Sequence, residues 1–202
     1  EQVCAWVDSV RPRYFALLDR TEPVLAALAP TLKAEQIDHL ARQFEKRNQK
    51  WREEWLDGTP AERQSRRLKQ LTERAEMLYG RLEAAQRAVL TANMATSAFD
   101  ARLTHVEALR RQQDTLQTLR LIQTESLSEI RKMAELRALL ARTVTSPDSN
   151  YQTYRAQNTR VNCQAFADFH NSTTPAQRAK AVAVLKGYED DARSLIDARP
   201  RP

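Results

Sequence analysis

A chain of 202 residues with 42% hydrophobic content is long enough for one substantial core, and it contains no apolar run that could span a membrane. Its three glycines and 6% aromatic residues exclude a glycine-rich phosphate loop or dinucleotide fingerprint, and they favour helices over sheets. The 32 Lys and Arg residues exceed the 26 Asp and Glu residues, a net charge of +6 that favours anionic partners but is too small to indicate nucleic acid.

The first predicted element is a helical stretch from Glu1 to about Ala29. Pro12 and Pro23 fall inside it. Because proline lacks a backbone donor and clashes with the preceding turn, we expect two or three short helices in this stretch. Pro30 then ends this part of the chain.

The next predicted helix, from Ala34 to Leu56, has an apolar stripe at helical spacing. The stripe contains Ile37, Leu40, Phe44, Trp51 and Trp55, with Asn48 among them. Two tryptophans on such a stripe are more typical of a core than of a ligand platform. Arg42, Lys46 and Lys50 lie on the opposite side, so basic and aromatic residues do not alternate as single-stranded nucleic-acid binding requires.

A third helix is predicted from the capping box that starts at Thr59, after Gly58, to about Tyr79. Four arginines lie in a narrow sector beside its apolar side: Arg63, Arg66, Arg67 and Arg74. They form the best candidate anion-binding surface in the chain. The structural alternative is that these long side chains cover the edge of the core or pair with acids on a neighbouring helix.

The second half of the chain predicts a short helix from about Glu83 to Met94 and a heptad-like one from Phe99 to about Arg142. A helix of about 44 residues would extend about 65 Å, so either the molecule is elongated or the helix kinks near Thr124 to Ser128. A loop at Thr145 to Asn150 precedes two more predicted helices, which run from Tyr151 to His170 and from Pro175 to Ala198.

The predicted fold is therefore all-α, an elongated bundle of about six to eight helices with one long central helix. We expect a single helical domain over residues 1–198. The tail over residues 199–202 is predicted to be disordered.

A short motif recurs at the start of three apolar-periodic stretches, with a leucine or threonine four residues before a glutamine. Its copies are Leu32–Gln36, Leu82–Gln86 and Thr173–Gln177. Helix capping explains part of the pattern, since Thr174 can accept from an amide three residues on while Gln177 reaches back. The functional alternative is a resemblance to the LTxxQ motifs of small helical periplasmic chaperones, although only the last copy has the threonine and that copy lacks the leucine.

The sequence contains no recognised catalytic arrangement. It has no GxSxG elbow, no HExxH pair and no Glu-x-x-His pair of a di-iron bundle. Its three histidines are scattered and its two cysteines, Cys4 and Cys163, fit no zinc framework, so we expect no metal and no cofactor. The prediction is a protein that is not an enzyme, and a hydrolase assembled from distant residues is the alternative.

Five segments carry a resemblance to a known family. They are Val3–Asp8, Arg42–Asn48, Asp57–Arg63, Tyr79–Leu82 and His170–Arg178. Together they resemble an uncharacterised family of proteobacterial lipoproteins, a domain of unknown function. The resemblance covers nearly the whole chain but transfers no activity and no functional residue. It implies a lipoprotein signal and a further helical segment before Glu1, and a periplasmic location at the membrane.

The cysteines have two interpretations, a pair of buried free thiols or a bridge between Cys4 and Cys163. The resemblance implies an oxidising compartment and so favours the bridge. Closing so long a loop would stabilise the fold by roughly 4 to 5 kcal/mol in the chain-entropy model.

Two functions follow as expectations. The favoured one is a non-enzymatic helical domain of a periplasmic lipoprotein with a chaperone-like or scaffold role in the cell envelope, whose partner is an envelope protein or an unfolded client. The alternative is an anion-binding module for phospholipid, cell-wall polymer or nucleic acid. It would use the four arginines of the third predicted helix, Arg63, Arg66, Arg67 and Arg74.

Overall fold

The computed structural model describes residues 1–123 and 127–198, and within these ranges it contains eight α-helices and no strand. The prediction of an all-α bundle is confirmed. The helices are α1 (Gln2–Leu28), α2 (Ala34–Trp51), α3 (Pro60–Tyr79), α4 (Ala84–Ala95), α5 (Ala101–Ile122), α6 (Glu129–Val144), α7 (Ser149–Ser172) and α8 (Pro175–Asp197). The predicted disordered tail at residues 199–202 lies outside the described residues.

The chain divides into two compact units. Unit 1 comprises Glu1–Thr59 and Ala98–Arg160, and unit 2 comprises Pro60–Ser97 and the residues from Val161 onward. Helix α7 contributes residues to both units. The expectation of a single domain over residues 1–198 stays a prediction.

Helix α1 is one continuous helix with Pro12 and Pro23 inside it, so the prediction of two or three short pieces is wrong. Each proline removes one backbone hydrogen bond, but the turns on either side keep theirs. Packing against α6 offsets this loss, since the edge of α1 at Ala26 lies against the buried core of unit 1. Glu22 also accepts a hydrogen bond of 2.5 Å from Arg137 on α6.

The core of unit 1 forms where α2, α5 and α6 meet the end of α1. Its buried residues are Ala29, Ile37, Leu119, Ile122 and Leu136. Ile37 and Ile122 are almost completely inaccessible to solvent. Asn48 is buried on the same side of α2 as Ile37, as the apolar stripe predicts.

Helix α2 ends in a π turn, Arg52–Leu56, in which the Asp57 amide donates to the Arg52 carbonyl over 2.8 Å. Trp51 and Trp55 lie with ring centroids 5.5 Å apart, and Phe99 packs edge-on against the Trp55 ring at 5.3 Å. The tryptophans therefore pack within unit 1, as their place on the stripe predicts.

Helices α5 and α6 replace the predicted single long helix. Helix α5 ends at Ile122, and Ser128 caps a new helix by accepting from the Arg131 amide. The break falls where the sequence places the alternative kink, and Thr124–Ser126 within it lie outside the described residues. The two helices form an antiparallel hairpin, in which Asp114 of α5 pairs with Arg142 near the end of α6.

Unit 2 contains α3, α4, α8 and the second part of α7. Its buried apolar cluster is Tyr79, Leu82, Leu90, Phe169 and Ala181. Gly80 ends α3 with a φ of 78°, a left-handed conformation that glycine adopts without the steric cost of a side chain. Its amide donates to the Glu76 carbonyl over 2.8 Å, which satisfies one of the last carbonyls of α3.

Candidate partner-binding surfaces

The outward side of α1 carries a row of exposed apolar residues. They are Trp6, Leu17, Val24 and Leu28, and both Trp6 and Val24 are 67% exposed. At 100° per residue these positions fall within a sector of about 40°, away from the edge of α1 that meets the core. We call this set the α1 face.

Basic residues lie along one side of the α1 face. Arg13 and Arg20 are exposed and adjoin it, whereas Asp8 and Asp19 lie on the opposite side of the helix. The α1 face is thus apolar with a cationic edge, although the complete sequence of α1 holds equal numbers of acidic and basic residues.

A second exposed apolar row follows the C-terminal half of α8. Ala181 is buried in the core of unit 2, but every residue from 185 to 197 is exposed. The apolar members of this half lie on the side that Ala181 begins: Leu185, Tyr188, Ala192 and Leu195, with Ile196 adjoining them. We call this set the α8 stripe.

Neither surface is predicted from the sequence as a candidate site. In both helices the signal is apolar residues three and four positions apart, the same pattern that marks a core helix. Sequence periodicity therefore identifies an apolar side but does not indicate whether another helix covers it.

A groove of about 390 Å³ lies between α2 and α5 in unit 1. Phe44, Leu109 and Leu116 supply its apolar lining, and Glu45 and Arg120 are among its charged residues. In its wall, Asn48 and Gln112 exchange two amide hydrogen bonds of 2.8 and 2.9 Å. The groove offers few exposed charges, and it has no cluster of catalytic groups among the residues that line it.

The four arginines of the predicted anion-binding surface lie on α3 in unit 2. Arg63, Arg66 and Arg67 are half-buried and engaged within the structure, and Arg67 donates to the Ser97 hydroxyl. Arg74 is exposed. Anion binding by these residues stays a prediction.

The recurring glutamines cap helices. The side-chain oxygens of Gln36, Gln86 and Gln177 each accept from the backbone amide three residues earlier, over 2.8 to 2.9 Å. At α8 the box is complete, because the Thr174 hydroxyl accepts from the Gln177 amide over 3.2 Å. At α2 the cap residue is Lys33, whose ammonium group cannot accept a hydrogen bond, so only the glutamine half forms there. The structural interpretation of the motif is confirmed.

Two of these glutamines also hold unit 2 together. Gln86 and Gln177 exchange amide hydrogen bonds of 3.0 and 3.1 Å, and both side chains are buried. Gln86 further donates to the Ser172 carbonyl and Gln177 to the Arg81 carbonyl. The pair thus joins the starts of α4 and α8 to each other and to the end of α7.

A buried carboxylate is the centre of an ionic network in unit 1. The Glu107 side chain is 3% exposed and accepts from Arg110, Arg111 and the Ser146 hydroxyl over 2.7 to 3.0 Å. Burial by itself raises the pKa of Glu107, but the three hydrogen-bond donors outweigh it and leave that pKa below its usual value. The carboxylate therefore stays ionised and holds the loop between α6 and α7 on α5.

The network continues along the α5–α6 hairpin. Asp114 accepts from Arg142 over 2.8 and 2.9 Å and from Arg110 over 3.4 Å. The hydrogen bond from Arg142 is the main reason that the pKa of Asp114 is lowered, against the opposing effect of burial. Arg110 also donates to the Arg142 carbonyl over 3.0 Å. These contacts have a structural role, because each charge already has a partner.

Both cysteines are disulfide-bonded. Since Cys4 and Cys163 are the two cysteines of the chain, the predicted bridge between them is confirmed. A disulfide is compatible with an oxidising compartment.

Neither a metal site nor a membrane span is found in the part of the chain that the structure describes. Within it, no group of three or more His, Cys, Asp or Glu side chains could hold a metal ion. No helix there combines the length and the apolar character needed to cross a bilayer.

The comparison with protein families gives one result. The model of a family of unknown function, DUF6279, matches residues 5–143. The chain belongs to this family. The DUF6279 match includes four of the five resembling segments in whole or in large part, and His170–Arg178 lies beyond it. No curated protein and no solved structure matches the chain.

Proposed function

We propose that this DUF6279 domain is a non-enzymatic helical module that holds an apolar segment of another protein, in a chaperone-like or scaffold role. The single observation that carries the proposal is the α1 face, in which Trp6, Leu17 and Val24 are more than half exposed on one side of a helix. Several large apolar side chains exposed on one side of a helix mark an interaction surface, whereas isolated ones are ordinary.

The chemistry of the α1 face defines the kind of partner. An apolar row beside Arg13 and Arg20 suits a segment that is itself apolar and carries acidic residues. An unfolded client or an amphipathic helix of an envelope protein has this character. Burying each large side chain would contribute about 1.5 to 3 kcal/mol before the cost of ordering the partner.

The proposed location is the bacterial cell envelope, with the domain attached to the membrane as part of a periplasmic lipoprotein. Two observations support it: the family resemblance described from the sequence, and a disulfide, which persists in oxidising compartments. A periplasmic domain of this kind would meet exported proteins before they fold.

Light scattering of a denatured client that aggregates on dilution tests the proposal. The protein should slow aggregation, and the variant Trp6→Ser/Leu17→Ser/Val24→Ser should lose most of this effect. A matched control is Val106→Ser/Ile130→Ser, which removes two exposed apolar side chains outside the α1 face and should act like the wild type. Aggregation that proceeds equally with and without the protein would reject the chaperone-like role.

A further inference from the structure

Within the part of the chain that the structure describes, the C-terminal half of α8 is not packed into a core. All residues from 185 to 197 are exposed, a length of about 20 Å. Isolated helices shorter than about 12–15 residues are marginal in water, and Gly187 lowers the helical propensity of this one further. A helix that extends this far from its core needs a partner for its apolar side.

The α8 stripe has the spacing of a helix-pairing seam. Ala181, Leu185, Tyr188, Ala192 and Leu195 are separated by alternating steps of four and three residues. Within one helix, Ala181 is already packed in unit 2, and Leu195 is 72% exposed. The α8 stripe is therefore packed into unit 2 at Ala181 and exposed at Leu195.

Acidic residues border the α8 stripe on both sides. Asp191 lies on one side and Glu189 on the other, and both are exposed. Glu189 also pairs with Arg193 over 2.6 Å. Two α8 stripes facing each other would therefore bring acid against acid in either orientation, which disfavours pairing of α8 with itself.

The α1 face has the complementary character. It is an exposed apolar row on a helix, and its border is basic, with Arg13 and Arg20 seven residues apart on the same side. Because acids border the α8 stripe on both sides, either orientation of α8 against α1 places an acid beside these arginines. Two α1 faces packed antiparallel would instead bring arginine against arginine.

We infer that the C-terminal half of α8 docks on the α1 face of a second copy of this chain. Two copies exchange this contact, so the dimer has two equivalent α1–α8 pairs and both apolar surfaces are covered. This inference extends the proposed function. In the dimer, α8 of the second copy covers the same α1 face that would otherwise bind a client.

Sedimentation velocity of the full disulfide-bonded chain over a wide range of concentrations tests the inference. We expect a dimer that dissociates on dilution, and Leu185→Ser/Leu195→Ser should be a monomer at every concentration. These residues are exposed, so the variant should keep the packed part of the fold, and by circular dichroism it should lose at most the helical content of the C-terminal half of α8. Lys186→Ser/Asp190→Ser, on the other side of the same segment, is the control and should dimerise normally.

Charge reversal identifies the partner of the α8 stripe. Arg13→Glu/Arg20→Glu should raise the dissociation constant of the dimer about three- to tenfold, as expected for exposed ion pairs. Adding Glu189→Lys/Asp191→Lys should restore the affinity. A dimer that is lost with Leu185→Ser/Leu195→Ser but is insensitive to Arg13→Glu/Arg20→Glu would point to another contact and overturn the assignment to α1.

A wild-type protein that is monomeric at all concentrations would also overturn the inference. The result is independent of the proposed function, because no client is present in sedimentation. The monomeric α8 variant, with an intact α1 face, should suppress client aggregation at least as well as the wild type. If this variant is monomeric as expected but does not suppress aggregation of the client, the inference of the dimer is supported and the proposed function is rejected.

Discussion

At the scale of single residues, the same sequence motif has two different energetic roles. Gln36, Gln86 and Gln177 each cap a helix from the same position. Gln36 is exposed, but Gln86 and Gln177 are buried against each other and make four further hydrogen bonds, two between themselves and one each to the Ser172 and Arg81 carbonyls. Removing one of the buried pair leaves polar groups of the other without partners.

Replacement of Gln177 should therefore destabilise the protein far more than replacement of Gln36. We expect Gln177→Ala to lower the free energy of unfolding by about 1 to 3 kcal/mol, because it removes a helix cap and leaves one amide hydrogen of Gln86 and the Arg81 carbonyl without their partner. Gln36→Ala should cost less than about 1 kcal/mol, as for loss of an exposed cap. Urea unfolding followed by circular dichroism measures both, and equal losses would contradict the structural role of the pair.

Local residue roles could be predicted from the sequence, and distant pairings could not. Capping depends on residues three positions apart, so the motif contains the necessary information. The contact between Gln86 and Gln177 joins residues 91 apart, and Ser146 meets Glu107 across a chain reversal. No local pattern specifies such a partner, which is why the Glu107 network was not predicted.

At the scale of helices, most boundaries follow from short signals. Pro60 and Pro175 start their helices, and Gly80 ends α3 in a left-handed conformation. Two predictions were wrong, and both concern whether a helix is continuous. Proline was expected to break α1, but packing against α6 keeps it whole, and the heptad-like pattern after Phe99 runs through a hairpin. Both halves of the hairpin face the same core, so the apolar spacing continues across the turn.

Two glycine-to-alanine substitutions should have opposite effects. Gly80→Ala should destabilise the protein by at least about 1 kcal/mol, because a side chain is strained at positive φ and its Cβ would lie 3.0 Å from Lys180 Nζ. Gly187→Ala lies within α8 with nothing within 4 Å of the new Cβ, and it should stabilise the helix by roughly 0.5 to 1 kcal/mol. Thermal unfolding of the two variants compares them directly, and a shift of the same sign in both would refute this assignment of roles.

At the scale of the whole molecule, the disulfide is a long-range covalent constraint. Cys4 and Cys163 lie far apart in the sequence, and their bond was predicted because the family resemblance implies an oxidising compartment. The division into two units could not be predicted, because each unit is assembled from two separated segments. Composition is similar along the chain and gives no boundary signal.

Reduction of the disulfide should lower the melting temperature. The bond restricts the unfolded chain, so its loss should cost about 2 to 5 kcal/mol. Differential scanning calorimetry with and without reductant measures the change. Cys4→Ser/Cys163→Ser should melt at the temperature of the reduced wild type and show no further response to reductant. A reductant effect on that variant would assign the change to something other than the bond.

The two buried polar clusters differ in charge, and this gives the units different sensitivities to acid. The carboxylates of Glu107 and Asp114 have lowered pKa values, so the stability they contribute is present at neutral pH and is lost as the pH falls through those lowered values. The amides of Gln86 and Gln177 do not titrate and contribute equally at every pH. Strong acid should therefore weaken the ionic contacts of the α5–α6 hairpin in unit 1 and leave the contact between Gln86 and Gln177 in unit 2 intact.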